Sequence, residues 1–357
     1  KTDITKTKEE LTNVTFEQVD LPHDWLIHQT KDLYETSYGW YRKKFRCEKV
    51  REKEFRLYFE GIYMDSTIYV NGREAFEWKN GYASFEVNLT EYVTEGENEI
   101  LVLVRHIAPN TRWYSGAGIY RNVWMKETGK TYLVTDGVYI NVQKENGDWK
   151  CKLDIEISGE TKGQELNVQI VDQNNQPVYE KTILVHKNTI KEEFVIPADQ
   201  VETWDCTSPI LYELMVQLKE NGSVVDELSQ KIGFREICFT PDNGFFLNGR
   251  NVKIQGVCLH HDLGSLGAAV NREAIKRQLL LMKEMGANAI RTSHNMPAVE
   301  VMELCDELGL LVDSEAYDTW ERSKTEHDYA RFFLDWYELD VASWIRRDRN
   351  HPSVIMW

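Results

Sequence analysis

Three short stretches place ionisable side chains directly after apolar runs. Val257-Cys258-Leu259 leads into His260-His261-Asp262, Ala289-Ile290 into Arg291-Thr292-Ser293-His294-Asn295, and Leu310-Leu311-Val312 into Asp313-Ser314-Glu315. Such residues can move protons, hold a polar ligand, bind a divalent metal or activate a serine. The metal reading, with His260, His261, Asp262 and His294 as ligands, lacks an HxH or HExxH spacing. The serine reading fails because Ser293 is not in a GxSxG turn. A ligand site stays open beside a plainer alternative, in which Arg291 and Glu315 form a structural ion pair and His260 and His294 are packing histidines.

The elements around these stretches decide between positions. Val252 to Cys258 reads as a strand, and Asn271 then caps a helix with Ile275, Leu279, Met282 and Met285 on one face. Ala289-Ile290 is a second strand. Pro297 opens a helix with Val299, Met302, Cys305 and Leu308 inward, and Gly309 closes it. Leu310 to Val312 is a third strand, Tyr329 to Arg347 a long helix, and Val354 to Trp357 a fourth strand. Strands alternating with helices imply a parallel sheet, and four such units are the first half of a (β/α)8 TIM barrel. Active sites of that fold lie at the C-terminal strand ends, where all three polar stretches fall. A buried strand has no structural need for charge at the same end each time.

The upstream two thirds is β structure. Phe55, Leu57 and Phe59 alternate with Arg56, Tyr58 and Glu60, the period of a half-buried strand. Thr67 to Val70 runs into Asn71-Gly72, a hairpin signal, and Ile100 to Val104 is a continuous apolar strand. After a polar break near Glu127 to Lys130, a second series alternates: Cys151, Leu153, Ile155, Ile157; Leu166, Val168, Ile170; Tyr212, Leu214, Val216, Leu218. Turn signals at Asn146-Gly147, Asn174-Asn175-Gln176-Pro177 and Asn221-Gly222 separate roughly seven short strands, the count of an immunoglobulin-like sandwich. The expected domains are 1–128, 129–235 and 236–357.

A net charge of −16 argues against nucleic acid or an anionic membrane as partner, since both need a basic patch. No apolar run approaches a membrane span, and the polar stretch Lys1 to Leu11 shows no signal peptide, although the chain begins without Met. The six cysteines form no CxxC and no Cys-His ligand spacing, and read as reduced, mostly buried thiols of a cytoplasmic protein.

The stretches also carry a resemblance. Gly256 to Asp262, Asn288 to Asn295, Cys305 to Ala316 and Arg347 to Trp357 are similar to the first four barrel strands and their flanks in family 2 glycoside hydrolases. Arg112 to Val123 resembles the sugar-binding-domain signature of that family, and Leu21-Pro22-His23-Asp24-Trp25 its entry segment. The resemblance spans the chain in order. It implies a jelly-roll β-sandwich that binds sugar, an immunoglobulin-like β-sandwich and a catalytic barrel. It implies retaining hydrolysis of β-glycosides by two carboxylates about 5 Å apart. The family acid/base is the Glu of an Asn-Glu pair at the end of strand four. That pair and the nucleophile would lie beyond Trp357, so no catalytic residue is expected in this chain, which reads as an inactive fragment.

The carried-over residues are a substrate frame. His260 and His294 match family histidines that contact sugar hydroxyls, with Asn295 beside them, and Arg291 and Glu315 match barrel-mouth positions that hold the catalytic carboxylates or strand ends. Arg112, followed by Trp113, stands where the family often has a sugar-contacting Asp. The magnesium ligands of some β-galactosidases correspond to Thr319 and Glu321, so that pattern is broken and no cofactor is expected. His260-His261-Asp262-Leu263-Gly264 looks most like the β-galactosidase branch; a β-glucuronidase, a β-mannosidase and a stand-alone carbohydrate-binding module are the alternatives. Four unclosed βα units should expose Ile254, Ile290 and Ile355, and two copies pairing through that face would form a homo-oligomer.

Overall fold

A computed structural model describes residues 11, 14–28 and 31–357; apart from Leu11, the polar N-terminal stretch lies outside them. The chain forms two compact units, each assembled from separated stretches: Lys1–Glu127, His261–Asn271 and Tyr317–Ser343, and Thr128–His260, Arg272–Ala316 and Trp344–Trp357. No helix among the described residues is long and apolar enough to cross a membrane.

The first unit is built on a two-sheet β-sandwich. Its strands are β1 (Ser37–Cys47), β2 (Lys53–Phe59), β3 (Ser66–Val70), β4 (Arg73–Trp78), β5 (Phe85–Asn88), β6 (Gly96–His106) and β7 (Val123–Gly129). They pair in the orders β1-β6-β3-β4 and β5-β2-β7. Asn71 and Gly72 take φ of 50° and 80°, the left-handed pair that a two-residue hairpin requires. The expectation of a half-buried β2 fails: Arg56 and Tyr58 are as buried as Phe55 and Leu57, and so is Glu60 just beyond. Partners make that burial tolerable. Arg56 meets Glu86 at 3.4 Å, and Glu60 accepts hydrogen bonds from Trp124 at 2.7 Å and Asn122 at 3.1 Å.

Asp24, from the entry segment, braces this unit. Its buried carboxylate accepts from Leu26 N, Ala117 N, Tyr114 Oη and Ala268 N. Gly116 and Gly267 both have positive φ, and a Cβ on either would come within 2.7 Å of Asp24 Oδ2. Arg121 of the signature is fully buried and donates to the Tyr82 carbonyl at 2.7 Å. Most of the signature run is therefore packing.

The second unit contains the immunoglobulin-like sandwich. Its strands are β8 (Tyr132–Glu145), β9 (Asp148–Ser158), β10 (Gln164–Val171), β11 (Pro177–Leu184), β12 (Thr189–Ile196), β13 (Tyr212–Glu220) and β14 (Ser223–Ile232). The sheets run β11-β10-β13-β14 and β12-β9-β8. Every alternating apolar residue noted above in β9, β10 and β13 is buried in one core with Trp149 and Phe234. Asn146-Gly147 and Asn221-Gly222 have positive φ, as hairpin turns do.

A small antiparallel sheet that sequence periodicity missed follows: β15 (Ile237–Thr240), β16 (Gly244–Leu247) and β17 (Arg250–Asn251). Then come β18 (Gly256–Cys258), α1 (Arg272–Glu284), β19 (Ala289–Arg291), α2 (Val299–Leu308), β20 (Leu311–Asp313), α3 (Ala330–Asp348) and β21 (Val354–Met356). The four strands pair in parallel, in chain order. Gly309 ends α2 at φ 69°, its N–H returning to Cys305 O.

Four details depart from expectation. The first barrel strand is only three residues long, because Val252 is held by Phe245 O. Met285 lies just past α1 and is 69% exposed. Ile290 and Ile355 are buried and only Ile254 is exposed. Ala289, Leu311 and Ile355 pack on Phe245 and Leu247 of β16, which cover this face, while Ile290, one residue out of phase with Ala289, points to the opposite one. Finally, the six thiols are all free, but Cys238 and Cys258 are exposed, and only Cys47, Cys151 and Cys305 are buried.

Candidate functional site

The second unit gathers five of the candidate residues, His260, Arg291, His294, Asn295 and Glu315, at the ends of β18, β19 and β20. Register pairs Cys258 with Arg291 and Arg291 with Asp313, so three neighbouring strands end level. Glu315 lies two residues beyond β20, its amide held by Thr292 Oγ1 at 2.9 Å. Arg291 reaches Glu315 Oε1 with Nε and Nη2, each at 2.7 Å. His294 Nδ1 lies 3.1 Å from Glu315 Oε2. The same nitrogen lies 3.4 Å from Arg291 Nη2, so Nδ1 sits between a carboxylate that accepts and a guanidinium that donates, and its role follows the tautomer. The His260 ring stands edge-on to His294, with centroids 5.7 Å apart. His260 is exposed and Asn295 half-buried.

The electrostatics follow from this geometry. The hydrogen bond to Glu315 holds the Arg291 guanidinium still more firmly in its charged form. Burial, with Glu315 adding to it, raises the Asp313 carboxyl above the ordinary carboxylate range, against the pull of Arg291. The structure thus contains the Arg291–Glu315 ion pair of the plainer reading, and that pair also orients an imidazole at the strand ends. Ser293 Oγ is buried without a partner among the described residues and is not set up as a nucleophile.

Arg112 and Trp113 belong to the first unit. Arg112 is exposed and donates from Nη2 to Asp318 Oδ1 at 2.7 Å; Lys324 Nζ reaches the same oxygen, also at 2.7 Å. Trp113 Nε1 lies 3.4 Å from Tyr82 Oη. His261, flanking the His260 position, is a packing residue there: its Nε2 meets Ser115 O at 2.9 Å and its ring contacts Tyr82 and Tyr120. Sequence reading missed Asp318 and Lys324. Their signal is the run of polar residues after the third barrel strand, in which Thr319 and Glu321 alone stand at family ligand positions. Thr319 is buried and Glu321 exposed, and no cluster of three metal-ligating side chains occurs among the described residues.

Family profiles match nearly end to end. Residues 11–129 match "Glycosyl hydrolases family 2, sugar binding domain", residues 131–235 "Glycosyl hydrolases family 2", and residues 240–357 "Glycosyl hydrolases family 2, TIM barrel domain". The chain belongs to glycoside hydrolase family 2. Within the family it is 40% identical to the beta-galactosidase BoGH2A of Bacteroides ovatus, over 95% of this chain and 42% of that protein. It is 34% identical to a putative beta-glucuronidase of Formosa agariphila, over 98% of this chain and 35% of the relative. A solved family 2 member from Bacteroides cellulosilyticus superposes with a TM-score of 0.88 at 36% identity, covering 96% of this chain and 47% of that one. The chain therefore spans less than half the length of these family 2 proteins. Its sandwiches and parallel strands are the family's sugar-binding jelly roll, immunoglobulin-like domain and part of the TIM barrel.

Proposed function

We propose that the protein containing this chain is a retaining β-glycoside hydrolase acting on terminal non-reducing β-D-galactosides. The observation that carries this reading is the Arg291–Glu315–His294 constellation beside His260, at the C-terminal ends of parallel strands in a family 2 barrel. In this reading His260, His294 and Asn295 meet sugar hydroxyls, while Arg291 and Glu315 fix the ring of His294 and the strand ends. Retention needs an acid/base and a nucleophile about 5 Å apart, and these are contributed by chain beyond Trp357. By itself the chain then binds sugar without turning it over.

Relatives named as beta-galactosidases and as beta-glucuronidases both support a β-glycoside substrate. A neutral galactoside is favoured because the Arg291 guanidinium is already committed to Glu315 instead of being open to a uronate carboxylate. The test is hydrolysis of 4-nitrophenyl β-D-galactoside, β-D-glucuronide and β-D-mannoside by the full-length protein and by this chain. Preference for the galactoside by the full-length protein, with none cleaved by the chain, is the expected result. A preference for glucuronide would overturn the substrate assignment. Turnover by the purified chain that disappears in Glu315→Gln would overturn its inactivity.

A further inference from the structure

We propose that Asp318 and Arg112, in the first unit, form a subsite for a neutral pyranose, Asp318 Oδ2 accepting from one sugar hydroxyl and Arg112 donating to its neighbour. The proposal starts from how the carboxylate is used. Oδ1 takes both cations, Arg112 Nη2 and Lys324 Nζ, each at 2.7 Å. Oδ2 has no partner among the described residues and is not sealed from solvent, although the side chain is only 11% exposed. An ionised carboxylate has lone pairs for about four donors, so half of its capacity is unspent and faces outward. Arg112 is 53% exposed and spends one nitrogen of three. An acceptor and a fork of donors side by side match the alternating needs of adjacent hydroxyls on a sugar ring, and charged partners make such bonds strong.

The loop is braced on both sides of Asp318. Tyr317 donates to the buried Asp340 carboxylate, which Asn80 and Tyr329 also reach. Asp328, buried, accepts from Ser323 Oγ, Lys324 N, Thr325 N and Ala330 N, fixing the turn that presents Lys324. His327 N donates to Pro109 O, tying that turn to the segment carrying Arg112. The acceptor is therefore held in place before any ligand arrives, which lowers the ordering cost of binding. Two residues on, Trp320 is 61% exposed and meets the rings of Tyr317 and Phe333 at about 60°, with indole surface available to the apolar face of a pyranose. Two cations around one carboxylate would suit a uronate as well. The open oxygen of Asp318 would repel one, which is why the neutral sugar is preferred.

The test is titration calorimetry on this chain with methyl β-D-galactopyranoside, its monodeoxy analogues and methyl β-D-glucuronide. It needs no turnover, so its failure is separate from a failure of the galactosidase reading. The wild type should bind the galactoside in the millimolar range. Asp318→Asn should weaken it about tenfold at unchanged melting temperature. One deoxy analogue should bind wild type and Asp318→Asn equally, having lost the hydroxyl that Asp318 receives. Arg112→Gln, at an exposed position that tolerates change, should weaken the galactoside several-fold. No wild-type binding at about 50 mM, undiminished binding by Asp318→Asn, or glucuronide bound about tenfold better than galactoside would each overturn the proposal.

Discussion

Glu315 and Asp318 stand three residues apart in the chain, in different compact units, and each is paired with an arginine. Their carboxylates are used differently. Glu315 spends Oε1 on Arg291 and Oε2 on His294, so both oxygens organise neighbours. Asp318 spends one oxygen on two cations and keeps the other. Exposure would mislead here, since Glu315 is the more open of the two at 25% against 11%. Bonding capacity, more than accessibility, separates a carboxylate that arranges a site from one equipped to meet a ligand.

The largest test of this contrast is in turnover. In the full-length protein, His294→Ala should lower kcat/KM by roughly a hundredfold or more, the loss typical of one preorganised polar group. Glu315→Gln should lower it comparably, and the double variant should lose little beyond either, because the two act as a unit. Additive losses would show that Glu315 does not work through His294, and a normal kcat/KM with a much lower melting temperature in His294→Ala would mark a packing histidine.

The next effect is on stability and concerns what holds the Asp318 loop. Burial raises the Asp340 carboxyl to about 6, against the hydrogen bonds of Tyr329, Asn80 and Tyr317. The unfolded value is 3.8, so between these two the folded chain binds the extra proton. Stability from this group is greatest below about pH 4 and is lost as pH rises to 6, a swing of about 3 kcal/mol. Denaturant titrations of wild type and Asp340→Asn at several pH values should show wild type losing that much relative to the variant. A pH-independent difference would mean that Asp340 titrates alike in the folded and unfolded chain.

A buried pair in the second unit behaves in the opposite sense to a depressed carboxylate. Burial lowers His351, but the Asp306 carboxylate, 2.6 Å from Nδ1, more than offsets this and the imidazole pKa is raised. Its contribution is present at acid pH and disappears as pH rises through the raised value. His351→Gln should therefore destabilise by about 1–2 kcal/mol at pH 5.5 and by less at pH 9. Equal destabilisation at both would remove the charge from the account. Smallest of all, Arg112→Gln should change stability by under about 1 kcal/mol, since Arg112 is exposed. A larger loss on thermal melting would make Arg112 a structural brace and blur its contrast with Arg291.

Where the apolar period was clean, the sequence was enough. The alternation in β9, β10 and β13 and the turns at Asn146-Gly147 and Asn221-Gly222 determine the second sandwich, because one face is buried and one is wet. The alternation was ambiguous at Arg56 to Glu60, where paired charges let both faces go inside. The hairpin β15–β16 escaped notice because its strands are four residues long and bury only Phe245 and Leu247 fully, with Ile237 packed beside them. The strand-end chemistry was legible because polar residues recur at the same end of three strands. Asp318 was not, because its partners lie six residues ahead and 206 residues back, and no local pattern encodes such a meeting.

The bracing of the first unit has a consequence for biosynthesis. Asp24 waits for Ala268, and Asn80 for Asp340, so the sandwich cannot close all its contacts when its own strands leave the ribosome. About 140 residues of chain after β7 must be synthesised before Ala268 appears and about 210 before Asp340, at about 5–20 residues per second. For those seconds the nascent sandwich carries an unfilled Asp24 carboxylate and an uncovered Asn80 loop. Chaperone dependence should accordingly concentrate in that interval, and slowing translation between residues 128 and 268 should lengthen it.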